Sequence, residues 1–237
     1  MSTYSIALLG LTAILLSQTT ACSLISPGRS EPTDRELLQV SSVQLVQQGI
    51  EKSQQGNYKG ASSDFTKALK INSNDADAYF NRGFAYIQLG ETERAIADFT
   101  QALKINPEFI EAYVNRANLY LQLGDYQKAI ADSQAVLKIN PNELFAHNTL
   151  GLIYLNIGDS KGADFELSQV IASNPDYGEA YFNRGLARLD LANRQGALID
   201  FKEAAKLFEQ QGNQEAYQAA RAQILLLEQE IPKKSDF

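Results

Sequence analysis

Asparagine–arginine pairs recur in one phrase: Asn81-Arg82 and Asn183-Arg184 in AYFNRG at 78–83 and 180–185, and Asn115-Arg116 in AYVNRA at 112–117. A carboxamide offers both a donor and an acceptor, so a row of asparagines can grip the backbone of an extended peptide without choosing its sequence. The neighbouring arginines can pack their aliphatic stems between helices while the guanidinium reaches water or an acid. This is the chemistry of recognition. Catalysis has little to work with: one histidine, His147, one cysteine, Cys22, one methionine and no tryptophan. The sequence holds no Ser/His/Asp set, phosphate-cradling loop or metal-ligand spacing, so no enzyme activity, catalytic residue, metal or cofactor is expected. A lone cysteine allows no intrachain disulfide and no all-cysteine metal site. The formal charge is −7 and the acids are dispersed. Nucleic acid is therefore not an expected partner, because neutralising phosphates needs a clustered basic face.

The elements that would position these side chains follow from a period. The first and last copies of the phrase begin 102 residues apart, three times 34. On that period glycine recurs at Gly56, Gly90, Gly124 and Gly158, with Ala192 in the fifth place. Alanine recurs without exception at Ala61, Ala95, Ala129, Ala163 and Ala197, and Pro107, Pro141 and Pro175 each follow an asparagine. Five ungapped units result: 42–75, 76–109, 110–143, 144–177 and 178–211. Such a repeat marks a stack of supersecondary units. Tyr79, Tyr113 and Tyr181 share one position, and Tyr86, Tyr120 and Tyr154 another seven residues on, which is two helical turns and one buried stripe. The recurrent glycine supplies a left-handed residue ending the first helix, and Asn-Pro stops the second. Small residues Gly49, Gly83, Ala117, Gly151 and Gly185 let the partner helix approach; Phe65, Phe99, Leu167 and Phe201 fill the second helix, where Ser133 leaves the space underfilled.

The second unit, ADAYFNRGFAYIQLGETERAIADFTQALKINPEF, resembles a tetratricopeptide (TPR) repeat, and the resemblance runs through all five units. It implies an all-α fold: a right-handed α-solenoid of five helix hairpins whose first helices line a concave groove. The continuation at 213–231 reads as a capping helix, with Tyr217, Ala220, Ile224, Leu227 and Ile231 on one face. Repeat proteins need such a cap for solubility; docking of another subunit, or self-association, is the other reading. TDRELLQVSS begins with cap-like Thr33 and Asp34 and extends the first helix backward. The resemblance further implies that the groove presents Asn81, Asn115 and Asn183, with Thr149 filling the gap, beside Asn118 and Asn148. Phe80, Phe84, Val114, Leu121, Phe182 and Leu186 would supply apolar pockets there. A solvated edge of the helix is the plainer reading of the asparagines. The groove positions carry no lysine or arginine but do carry Asp77, Glu111, Glu179 and Asp190. The carboxylate clamp of chaperone-binding TPR proteins is therefore not expected, and the implied ligand is a protein or peptide, apolar with some basic character. His147 stands where other units have tyrosine and reads as a substitute for a packing aromatic. Lys52 and Arg188, at the other tyrosine position in the end units, read as polar choices for a less covered place.

Residues 1–28 carry no charged side chain, and Ile6–Leu16 is an apolar run. It is shorter than the roughly 20 residues that span a bilayer and fits the core of an export signal. Residues 1–21 are therefore read as an export signal or membrane anchor, 22–33 as a linker, 34–231 as the repeat domain and 232–237 as a tail. Thr19-Thr20-Ala21-Cys22 resembles a bacterial lipobox, which would make Cys22 a lipidation site. It departs from that pattern in having threonine at 19 and no basic residue near the start. An ordinary cleaved signal, or an uncleaved anchor, is the alternative. The expected location is extracytoplasmic and membrane-associated through the N-terminus. The expected function is a non-catalytic scaffold or adaptor binding a polypeptide in its groove. The alternatives are an assembly chaperone for a membrane complex and a structural module that self-associates through 213–231.

Overall fold

The computed structural model describes residues 34–230, and their side chains from 41 to 229. Among the described residues there are eleven α-helices and no strand. The first helices of the hairpins (A helices) are α1 (Asp34–Gln54), α3 (Ala76–Gln88), α5 (Ile110–Gln122), α7 (Leu144–Ile157) and α9 (Gly178–Asp190). Their partners (B helices) are α2 (Tyr58–Ile71), α4 (Thr92–Ile105), α6 (Tyr126–Ile139), α8 (Ser160–Ser173) and α10 (Arg194–Gln210), and α11 (Gln214–Glu230) follows. Cys22, Thr33, Ile231, the segments 1–33 and the tail lie outside the described residues.

Local sequence sets each boundary. At the end of α3, Gly90 sits at φ +74°, and the Glu91 N–H donates to the Tyr86 carbonyl at 2.9 Å, closing a left-handed cap. Asn57, Asp125, Asp159 and Asn193 then open α2, α6, α8 and α10 by accepting a backbone N–H three residues on, which satisfies a donor the helix start would orphan. At the far end, Asn72, Asn106, Asn140 and Asn174 leave helical geometry, and each side-chain oxygen accepts the N–H two residues later.

Glycine 83 shows how closely the two helices of a hairpin meet. A Cβ there would lie 2.9 Å from the Phe99 ring, and the same clash at 2.6 Å from Phe65, 2.7 Å from Leu167 and 2.7 Å from Phe201 awaits Gly49, Gly151 and Gly185. The third unit solves the same contact differently. The repeat register sets Ala117 against Ser133, and both are 1% exposed. The small residue on the B helix thus goes with the larger one on the A helix, so the site read as underfilled belongs to an exchanged pair. Its cost is chemical, because the buried Ser133 hydroxyl has no hydrogen-bond partner.

Hairpins stack into the right-handed solenoid. Successive A helices approach one another at α1–α3, α5–α7 and α7–α9, and no two successive B helices come as near. The A helices therefore line the inside of the curve. At the C-terminal end α11 lays Ala220, Ile224 and Leu227, all buried, against Phe201, Ala204, Ala205 and Phe208 of α10, with Tyr217 beside them. Leu225 and Leu226 on its other side remain more than half exposed.

Candidate peptide groove

The phrase AYFNRG divides its labour between two surfaces. In α3, Ala78 and Gly83 are buried against neighbouring helices, while Phe80, Asn81 and Phe84 are half-buried on the inner side. Val114, Asn115, Asn118 and Leu121 of α5 are half-exposed in the same register, as are Asn148 of α7 and Phe182, Asn183 and Leu186 of α9. None of these is sealed in the core. Phe80 nonetheless packs its ring against Phe99 and Phe109, at centroid distances of 5.6 and 4.8 Å. Phe182 meets Phe201 at 5.4 Å. Each ring packs within its own hairpin and remains half-buried.

Two of the three asparagines, Asn81 and Asn115, are oriented by their own helices. One Nδ2 hydrogen of Asn81 donates to the Asp77 carbonyl at 2.8 Å, and Asn115 does the same to Glu111 at 2.7 Å. That tether restrains the amide and leaves the second N–H and the carbonyl oxygen without an internal bond, since a carboxamide has two donors and an acceptor with two lone pairs. Thr149 does not fill the gap in this row. It is 4% exposed, and its hydroxyl donates to Asn118 Oδ1 at 3.1 Å, fastening α7 to α5. Asn118 is thus committed on one side, whereas Asn148 keeps a buried Oδ1 without a partner. Asp190, expected as a free groove acid, accepts from Ser160 of the preceding hairpin at 3.1 Å.

Behind the groove runs a ladder of ion pairs. Arg82 meets Asp98 with two parallel bonds, Nε–Oδ2 at 2.7 Å and Nη2–Oδ1 at 2.8 Å, and its Nη1 donates to Thr66 of the preceding repeat at 3.0 Å. Arg116 repeats this with Asp132 and Thr100, and Arg184 with Asp200 and Ser168. Each arginine therefore pins its own hairpin and straps it to the B helix before. Tyrosine rings flank the guanidinium: Tyr79 and Tyr86 lie 5.5 and 5.8 Å from Arg82, and Tyr113 and Tyr120 lie 5.7 and 5.9 Å from Arg116. The hydrogen bonds that Asp98 accepts from Arg82 hold this guanidinium above its ordinary pKa. Burial would lower Arg116, but Asp132 outweighs it and the shift is upward.

The end units and the fourth obey the same accounting by other means. Lys52 bonds the buried Asp64, which also accepts from Lys67 at 3.0 Å. Burial pushes the Asp64 carboxyl up, the two lysines outweigh that, and it lies below its usual value. Arg188 bonds both Asp200 and Asp164 at 2.8 Å. These two residues are therefore counter-ions for the B-helix acid, which corrects their reading as choices for a less covered place. In the fourth unit Leu150 replaces the arginine and Glu166 the aspartate. His147, 8% exposed, places Nδ1 2.6 Å from Glu166 and donates from Nε2 to the Pro141 carbonyl at 2.9 Å. It stands in for the missing partner of the B-helix acid as much as for the missing aromatic. Sequence reasoning passed over the buried acids although Asp64, Asp98, Asp132, Glu166 and Asp200 recur every 34 residues. That period was the available signal.

The charge consequence is simple. In α3, α5, α7 and α9 the cations are Arg82, Arg116, Arg184 and Arg188, and internal acids occupy all of them. Asp77 and Glu111 remain exposed and Glu179 half-exposed in the first turns, where they also complement the helix dipole. Among the described residues no group of three or more metal-ligating side chains gathers, and no helix is long and apolar enough to cross a membrane.

Comparison with known proteins agrees with this architecture. Models described as tetratricopeptide repeat match 76–109, 110–143 and 148–216, and one described as TPR repeat matches 51–90. The crystal structure of MamA is 24% identical, covers 74% of this chain and 96% of its own, and superposes with a TM-score of 0.67. MamA from Desulfovibrio magneticus is 19% identical over 72% of this chain and 97% of its own, at 0.67. YrrB, described as a TPR protein with an unusual peptide-binding site, is 21% identical over 76% of this chain and 92% of its own, at 0.66. At such identities the likeness is one of fold. No curated protein matches the sequence. With the period, the hairpin geometry and the family models in agreement, the chain belongs to the tetratricopeptide repeat family.

Proposed function

We propose that this protein is a non-catalytic scaffold that holds an extended polypeptide in its concave groove and is tethered to a membrane, on the extracytoplasmic side, through residues 1–22. One observation carries the groove reading: Asn81 and Asn115 are fixed by their own backbone bonds with polar atoms left over, amid half-exposed Phe84, Val114, Leu121 and Leu186. A peptide backbone alternates donors and acceptors, so a tethered amide can pair with it at little further entropic cost. The ligand is apolar with basic character, because the inner wall keeps exposed acids and no uncommitted arginine. Similarity in fold to YrrB is in keeping with a peptide ligand. The apolar run Ile6–Leu16 and the Thr-Thr-Ala-Cys sequence ending at Cys22 motivate the tether.

One membrane preparation tests both parts. Crosslinked partners recovered with the parent chain should fall at least tenfold with Asn81→Ala/Asn115→Ala/Asn183→Ala, while circular dichroism stays unchanged. Full recovery from a folded triple variant would remove the asparagines from the mechanism. Cys22→Ser should release the chain from the membrane fraction or leave it unprocessed by mass; unaltered fractionation and mass would discard lipidation.

A further inference from the structure

The outer face of the first hairpin departs from the pattern of the others. Along α2 the stripe Lys59, Ser63, Lys67, Lys70 runs on one side, since spacings of four, four and three residues share a helix face. At the same register α4 has Glu93, Ala97, Gln101 and Lys104, and α10 has Gln195, Ile199, Glu203 and Lys206. No other B helix places three cations in this stripe. The stripe is about 16 Å long at 1.5 Å per residue.

Facing it across a cleft of about 590 Å³ stand Arg94, Tyr86 and Leu89 from the second hairpin. Arg94 lies over the Tyr86 ring, 3.9 Å from its centroid, and bonds Glu91 and the Tyr86 hydroxyl. Lys67 is shared with Asp64. Lys59 and Lys70 have no side-chain partner among the described residues. The cleft thus gathers four cations against one lining carboxylate, Glu91, in a chain whose net charge is −7. Lys67 and Lys70 are near neighbours of like charge, an arrangement that a bound anion would relieve.

We propose that this outer cleft is a second binding site, separate from the groove, for an acidic peptide segment that carries an apolar side chain. The three lysines form a line along α2, with Arg94 on the facing wall, which suits carboxylates dispersed along an extended chain better than one compact anion. Three of the four cations are lysines, point charges that do not demand the planar two-bond fit of an arginine. Leu89, 38% exposed beside the buried Tyr86, gives the cleft an apolar spot between its charged walls, which the apolar side chain of a peptide can cover. The inner wall, with Asp77 and Glu111 exposed, would repel the same peptide. The two surfaces therefore select partners of opposite charge.

The test is fluorescence anisotropy of a labelled peptide of glutamates interrupted by single leucines, titrated with the full chain at low and at physiological salt. Saturable binding is expected, weakened at higher salt. It should fall at least tenfold with Lys59→Glu/Lys70→Glu, fall less with Lys59→Gln/Lys70→Gln, and stay unchanged with the triple asparagine variant. Both lysines are exposed, so circular dichroism should be unaltered. Inorganic phosphate at equal ionic strength should not compete. Absence of binding, or an affinity within twofold after charge reversal, overturns the proposal. So does a preference for phosphatidylglycerol over phosphatidylcholine vesicles that the charge reversal abolishes while the peptide fails to bind.

Discussion

Ala192 occupies a backbone position that its side chain resists. At φ +59° it stands where four earlier hairpins have glycine between +74° and +79°. A left-handed residue bearing a Cβ costs roughly 1–2 kcal/mol, whereas a glycine loses about 0.4–1 kcal/mol more chain entropy on folding. The strain term is the larger. Ala192→Gly should therefore stabilise the protein by about 0.5–1 kcal/mol, a rise in Tm of roughly 1–4 °C for a domain this long, read by thermal unfolding. Gly90 and Pro107 were legible as punctuation because their backbone demands admit few other residues. The exchanged pair Ala117 and Ser133 was half legible: the small B-helix side chain was visible, but its compensation needed the distance across the hairpin. Thr149 misled for a related reason, since its position in the row of asparagines says nothing about Asn118 taking its hydroxyl.

At the scale of the element, the Arg–Asp pair is what distinguishes these hairpins from two amphipathic helices joined by a turn. The partners stand 16 residues apart, a spacing that crosses the turn and has no meaning until the helices fold back on each other. That is why the arginines could be assigned a structural duty from sequence while their aspartates went unnoticed. Side chains of Arg116 and Asp132 are only 15% and 7% exposed. Removing one partner leaves the other charge buried, which typically costs 3–5 kcal/mol. Asp132→Ala should accordingly destabilise by about 3 kcal/mol in urea unfolding, while Glu228→Ala, which loses only a surface pair to Lys202, should cost far less. Equal losses at the two sites would show that the ladder contributes no more than surface charge. The capping helix was read correctly for Tyr217, Ala220, Ile224 and Leu227 because a helical face is a property of spacing alone.

Across the whole molecule the straps are not continuous. Thr66 to Arg82, Thr100 to Arg116 and Ser168 to Arg184 join consecutive repeats on the side of the B helices. Between the third and fourth repeats Leu150 and Gln134 stand in those places, and the fastening moves inward to the Thr149–Asn118 bond and the α5–α7 approach. The fifth repeat, by contrast, gains Arg188–Asp164 and Ser160–Asp190 as further ties to the fourth. Without a strap on the B-helix side, the joint between the third and fourth repeats has fewer side-chain ties to resist opening there. Pulsed electron spin resonance between labels on α4 and α10 is expected to give a broader distance distribution than between α2 and α6 or between α8 and α10. Equal widths would mean a rigid rod. If the broad distribution is found, the protein is a jaw of two stiff plates, and the bulk of what it closes on is set by the swing at one seam and not by the depth of any single pocket.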